Sequence, residues 1–331
     1  MRRLCFCFAL VLIGCVCASA DEVTVVDGAG KNTLVRKGTV VDLKGDTLTL
    51  KLGSGRETSI PFARVQKVDA DWSATHAAAN EKYQQHDYAA ALTLYRRSFN
   101  TEKRAWVKRR LLERVIWCYR NTGKDADACR MFERLIKEDP NTPYLACIPL
   151  LWPTKQCPTD VKAIVASWLR NEQPATKRLV AASWLLVNNR SQAMSALREL
   201  GKDPSKSISS LAVAQLWRAE LLTLKESRLS WWQEQLESTP AELRAGSYYL
   251  LGKSLAKFGQ QDEATLAFLR VPTMFPDAVS LGQMSLAEGG AILQSQNHRQ
   301  EAINAFQSSL ELDANSSLGR AAKSALAELT K

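Results

Sequence analysis

The chain has 331 residues, 46% of them hydrophobic and 24% charged, with 44 basic residues against 34 acidic ones. That length suffices for one large elongated domain or two compact ones. The positive excess suits an anionic partner or surface, but no zinc finger, basic recognition helix or aromatic RNA-binding motif accompanies it, so no nucleic-acid role is expected.

The first twenty residues read as an export signal. Met1-Arg2-Arg3 is a positive leader, Leu4 to Val16 is almost wholly apolar, and Ala18-Ser19-Ala20 supplies small residues before Asp21. The stretch is too short and wrongly flanked for a stop-transfer helix. Leu12-Ile13-Gly14-Cys15 also resembles a bacterial lipobox, so two cleavage points stay open, one before Asp21 and one before an acylated Cys15. Either predicts an exported chain, periplasmic or extracellular. Loss of residues 1–20 leaves 42 basic residues against 34 acidic ones.

Residues 21–70 carry extended patterning. Strands are expected at Val23–Val26, Thr39–Leu43, Asp46–Leu52, Glu57–Ile60 and Val65–Val68, with turns at Lys44-Gly45-Asp46 and Gly53-Ser54-Gly55. The second and third carry a G-x-V-x-D-L-x-G-D-x-L-x-L pattern, and the run I-P-x-x-R-V-x-x-V follows. In these residues the chain resembles small SH3-like or Sm-like barrels, which implies a closed β unit acting as a cap. Asp27-Gly28-Ala29-Gly30-Lys31 is a glycine-rich turn with no phosphate-binding helix pattern after it.

From Asp71 onward the period changes to 3.6, and Ala, Leu, Arg, Lys, Glu and Gln dominate. Three segments follow: helix pairs over 71–149, a less regular helical stretch over 150–240, and helix pairs with a final helix over 241–331. At 72–105 the anchors are Ala79, Ala91, Tyr95 and Ser98. At 109–142 they are Leu112, Val115, Ile116 and Tyr119, then Gly123, Ala128, Phe132, Leu135 and Pro140. Between the regular segments, helices are expected at Asp160–Leu169, Pro174–Leu186, Gln192–Leu200, Ser207–Leu224 and Leu229–Leu236. Trp231 and Trp232 cannot both face inward on one helix, so one is expected at the surface. Tyr248, Leu251, Gly252 and Leu255 precede Gly259, Ala264, Phe268, Val271 and Pro276 in the clearest copy. Leu286, Gly290, Leu293, Ala302 and Phe306 mark another, and Leu318–Leu329 is a capping helix.

On these anchors the chain resembles the tetratricopeptide repeat family, and within it exported bacterial envelope proteins. The resemblance implies a mainly α fold, an alpha-alpha superhelix preceded by the small β domain. It also implies a groove that binds partner proteins of the cell envelope, lined by Trp117, Arg120 and Asn121, by Tyr249, Lys253 and Lys257, and by Met284, Gln294 and Ser295. The carboxylate-clamp version of the repeat needs Lys and Asn at set positions, and only His76 and Asn80 approximate its first pair.

The basic stretch 96–120, with Arg96, Arg97, Lys103, Arg104, Lys108, Arg109, Arg110 and Arg114, offers a second mode. It would bind anionic wall polymer or a lipid surface. Four cysteines outlast the leader, and three pairings exist for them. Neighbouring bridges, Cys118–Cys129 and Cys147–Cys157, are the simplest expectation in an oxidising compartment, and the second would anchor the proline-interrupted segment 141–158. With His76, His86 and His298 the only histidines, no metal site is signalled. No G-x-S-x-G, H-E-x-x-H or phosphate-loop motif occurs, so neither a cofactor nor catalysis is expected.

Overall fold

The computed structural model describes residues 20–28 and 32–330. The leader with Cys15, and Ala29 to Lys31 of the glycine-rich turn, lie outside the described residues. The chain divides into two compact units, one ending at Trp72 and one starting at Ser73.

The first unit is a five-stranded antiparallel sheet: β1 (Asp21–Val26), β2 (Thr33–Lys44), β3 (Thr47–Lys51), β4 (Glu57–Pro61) and β5 (Val65–Asp69). Alternation places Val23 and Val25 of β1, and Leu48 and Leu50 of β3, in its core with Val40, Leu43, Ile60 and Val68. Strand β2 is longer than its pattern suggests, because it serves both halves of the sheet, pairing with β1 over Thr33–Gly38 and with β3 over Thr39–Lys44. It changes partner at Gly38, where a Cβ would come within 2.4 Å of the Lys51 carbonyl oxygen. The strand order is β4-β3-β2-β1-β5. The expected SH3-like or Sm-like closed barrel is therefore corrected to an open sheet. Closure would need its edge strands β4 and β5 to pair, and no such pairing is present among the described residues. Pro61 on one edge and the Lys67–Asp69 ion pair on the other blunt those edges.

The second unit is a helical solenoid. Among the described residues it has fourteen α-helices. The first two hairpins are α1 (Ala74–Gln84) with α2 (Tyr88–Thr101), and α3 (Ala105–Asn121) with α4 (Asp125–Glu138). The less regular middle has α5 (Thr159–Val165), α6 (Ala175–Leu185), α7 (Arg190–Leu200), α8 (Lys206–Glu220) and α9 (Leu229–Ser238). Two further hairpins, α10 (Ala245–Lys257) with α11 (Gln261–Met274) and α12 (Val279–Ser295) with α13 (Arg299–Asp313), precede α14 (Ser317–Leu329). Helix α14 covers the last hairpin, its Ala322, Leu326 and Leu329 packing on Leu286, Leu293 and Phe306.

The repeat anchors are buried because small residues let each hairpin close and a ring fills what remains. A Cβ on Gly252 would lie 2.7 Å from the Phe268 ring, and one on Gly290 would lie 2.8 Å from the Phe306 ring. The two hairpins thus share one lock, a glycine on the first helix under a phenylalanine of the second. Gly123 and Gly259 turn their hairpins with φ of 69° and 76°, a region that costs other residues strain.

The middle region departs from expectation in detail. Helix α5 tightens into a 3-10 turn at Ala166–Leu169, α8 stops at Glu220 instead of Leu224, and Pro174 stands just before α6. Trp232 is fully buried, stacked on Trp217 at 4.7 Å, while Trp231 stays 36% exposed with Arg228 over its ring.

Gly252→Leu or Gly290→Leu puts four carbons where a phenylalanine ring already sits. Each variant is expected to lose about 2 kcal/mol or more, seen in thermal unfolding as a fall of roughly 4 °C or more. A melting temperature equal to the parent's would contradict the lock.

Candidate functional site

The site is built around an extended, proline-bearing segment, residues 148–158, that replaces a helix. Residues 148–152 and Cys157 are buried, and the segment has no ladder partner, so helix side chains must satisfy its buried backbone. The Leu151 carbonyl accepts from the Ser183 hydroxyl, from Gln215 Nε2 at 3.2 Å and from the Arg218 guanidinium, which also reaches the Ser183 carbonyl. Leu151 N–H donates to Ser183 Oγ at 2.9 Å, Trp184 Nε1 donates to the Pro149 carbonyl at 2.8 Å, and Cys157 N–H donates to Asn188 at 2.8 Å. Burial pushes Arg218 down to about 9. Sequence reasoning missed these anchors, and their one signal is polar residues in the apolar stripes of α6 and α8.

This also corrects the cysteine pairing. Cys118, Cys129, Cys147 and Cys157 are all free and buried, so the Cys118–Cys129 and Cys147–Cys157 bridges are not formed. The segment that a bridge was expected to hold is held by hydrogen bonds. Burial raises all four thiols, Cys118 to about 12, which disfavours the thiolate that exchange requires.

The segment presents Trp152 toward α10, where Gly246 makes room: a Cβ there would fall 2.0 Å from the indole. Opposite stands the end of α3. The two are joined through the α11–α12 loop, whose Asp277 Oδ1 accepts from Tyr83 Oη at 2.8 Å and Arg114 Nη1 at 2.9 Å. Asn121 Nδ2 donates to the Asp277 carbonyl at 2.9 Å, and Ser280 Oγ to the Arg120 carbonyl at 3.4 Å. The first and last hairpins thereby meet across the solenoid. Two cavities lie inside, of about 410 and 340 Å³, and both are lined by Trp117, Arg120, Trp152, Ala278 and Leu281. The larger adds Trp184, Met284 and a polar edge of Thr122, Ser280 and Ser317, while the smaller adds apolar Ile148, Leu211, Leu243 and Phe275.

Of the groove residues expected from sequence, the structure brings together Trp117, Arg120, Asn121 and Met284. It spends the rest elsewhere. Tyr249 is buried against Phe268, with its hydroxyl pushed up to about 12. Lys253 pairs with Glu288 at 2.8 Å, and Lys257 caps the end of α8 by donating to the carbonyls of Leu221, Leu222 and Leu224 at 2.8–3.1 Å. Gln294 and Ser295 are exposed at the end of α12. Residues missed include Trp152, Trp184 and Leu281, which are far apart in sequence.

The basic stretch does not form one surface. Arg96, Arg97 and Lys103 are exposed, but Arg104 is bound to Glu102 at 2.8 Å, Lys108 lies over Phe99, Arg109 is buried, Arg110 is half-buried, and Arg114 is held by Glu113 and Asp277. Although burial works against it, hydrogen bonding from Arg104 holds the Glu102 carboxyl at about 2. His76 is a core residue of α1 with Tyr95 against its ring edge, and Asn80 accepts from Tyr95 Oη at 2.8 Å, so neither faces a groove. His86 stacks on Tyr88 in the α1–α2 turn. Among the described residues no group of three His, Cys, Asp or Glu could hold a metal ion.

The profile of the tetratricopeptide repeat matches residues 112–142, most of the α3–α4 hairpin. The helical unit is a TPR-like solenoid. Among twelve matching solved chains is the "TPR2AB-domain:pHSP90-complex of yeast Sti1". It is 13% identical, covers 78% of this chain and 97% of that one, and superposes with a TM-score of 0.24. No curated protein matches.

Two expected outcomes follow from the hydrogen bonds. Asp277→Ala removes the acceptor of Tyr83 and Arg114 while leaving the backbone carbonyl to Asn121. Stability should fall by about 1–3 kcal/mol, with faster amide exchange at α1, at the end of α3 and in the α11–α12 loop. Unchanged exchange there would show that Asp277 does not join the ends. Burial, reinforced by Arg110, lowers His76 from 6.5 to about 4. Between those values the unfolded chain binds the proton and the folded one does not, so stability falls as pH drops through that window, by about 3 kcal/mol in full. His76→Gln should lose that part of the slope in denaturant titrations at pH 7, 5.5 and 4, and an unaltered slope would refute it.

Proposed function

We propose that this protein is a non-catalytic scaffold that holds a segment of a partner protein between the opposed ends of its helical solenoid. The observation that carries this is the pair of adjoining cavities sharing Trp117, Arg120 and Trp152. Their volumes lie in the range of ligand sites, and aromatic walls with a few polar edges suit a peptide. The export-type leader supports the cell envelope as the place of action. The cations over 96–114 are not part of this reading, since Arg104, Arg109 and Arg114 are spent inside the protein.

The test is site-specific photo-crosslinking in the source cell, with the reactive residue at Met284 in the cavity or at Leu266, which is 52% exposed on α11 and outside the lining. A discrete protein partner should be captured from Met284 and not from Leu266, on a chain recovered with Asp21 or acylated Cys15 at its N-terminus. Equal capture from both positions would defeat the groove, and a retained Met1 would defeat export.

A further inference from the structure

Arg120 lines both cavities and is held in no ion pair among the described residues; Asp125 acts on its charge only from beyond ion-pair distance. Its guanidinium lies 4.3 Å from the Trp117 ring centre and makes one long hydrogen bond, 3.4 Å, to the Ala146 carbonyl. Among the described residues no carboxylate forms an ion pair with it, although it is half-buried and has five N–H donors. Arg114, less than two turns earlier on the same helix, shows the contrast: it is paired with both Glu113 and Asp277.

The acids around the cavities are occupied or turned outward. Asp125 pairs with Lys155 at 3.8 Å and reaches Arg120 only as a longer-range charge, Asp277 holds Arg114 and Tyr83, and Asp313 accepts the N–H groups of Asn315 and Ser316 at 2.9 and 3.2 Å. Glu242 is exposed on a 3-10 turn. A half-buried guanidinium with empty donors is costly unless an anion completes it.

Arg120 also stands on the border between the two cavities, since it lines both. The smaller, of about 340 Å³, is walled mainly by apolar side chains, among them Ile148, Leu211, Leu243, Phe275 and Leu281. A ligand that fills it must therefore present a large apolar group within reach of a carboxylate.

We propose that the cavities recognise a partner polypeptide segment in which a large apolar side chain lies within two residues of an acidic one. The apolar group fills the smaller cavity, and the carboxylate takes the open donors of Arg120. The backbone between them lies along the polar edge formed by Thr122, Ser280 and Ser317. This rests on the groove reading above and adds the chemistry of what the groove selects.

The full chain is titrated, by fluorescence anisotropy, with fluorescein-labelled Gly-Ser peptides carrying Trp-Gly-Glu, Trp-Gly-Lys or Ser-Gly-Glu at the centre. The Trp-Gly-Glu peptide should bind about tenfold tighter than either control. Arg120→Gln should bring it down to the Trp-Gly-Lys level without weakening the latter. Met274→Gln, at a half-exposed position of the smaller cavity, should weaken both Trp peptides equally. Circular dichroism confirms that both variants fold. Equal affinity for Glu and Lys peptides, with Met274→Gln weakening both, would overturn the acid preference and leave the groove standing. Absence of binding by all three at about 1 mM would overturn the proposal, and the Met284 crosslink then decides the fate of the groove by itself.

Discussion

The helical unit depends on the need to satisfy one buried carbonyl. Leu151 lies in an extended stretch inside a helical protein, where no neighbouring strand can accept or donate. Ser183, Gln215 and Arg218 answer it from two helices, so α6 and α8 are tied to the same backbone atom. An unanswered buried carbonyl would cost about 1–3 kcal/mol, and the charged donor makes the contact stronger than a neutral one. Because Leu151 is held there, Trp152 is delivered to the wall between the cavities, against Gly246. The buried charge of Arg218 is the cost of that placement, carried by carbonyl dipoles without a carboxylate.

A second constraint acts across the solenoid. Asp277 gathers Tyr83, Arg114 and, through its backbone, Asn121, so residues nearly two hundred positions apart in the chain share one acceptor loop. An open superhelix would present its inner face as a continuous groove. Here the inner face is folded against the opposite hairpin, and two cavities remain where they meet. That is why only part of the inner row faces a cavity: Tyr249 is covered, while Lys253 and Lys257 are consumed by Glu288 and by the end of α8.

Legibility of the site in the sequence followed the range of the interactions that make it. Trp117, Arg120 and Asn121 fall on one face at the end of a regular helix, and 3.6-residue periodicity suffices to group them. Met284 follows from the equivalent place in a later hairpin. Trp152 and Trp184 have no such regularity, since their orientation is set by hydrogen bonds to a segment without periodic structure. The run of cations at 96–120 misleads for the related reason that charge content says nothing about partners: Glu102, Glu113 and Asp277 take up residues that composition counts as free.

Local chemistry in the sequence alone determined the change from period 2 to period 3.6 near residue 71, the hairpin boundaries, and the glycine and phenylalanine positions that let helices touch. Those features depend on backbone conformation and on the size of one or two side chains, which are properties of the residues themselves. Only the tertiary structure decided that the sheet stays open, that the cysteines remain thiols, that the solenoid's ends meet at Asp277, and that Arg120 is left facing a cavity. Each of these depends on which distant groups satisfy a buried donor, acceptor or charge, and sequence spacing carries no record of that choice.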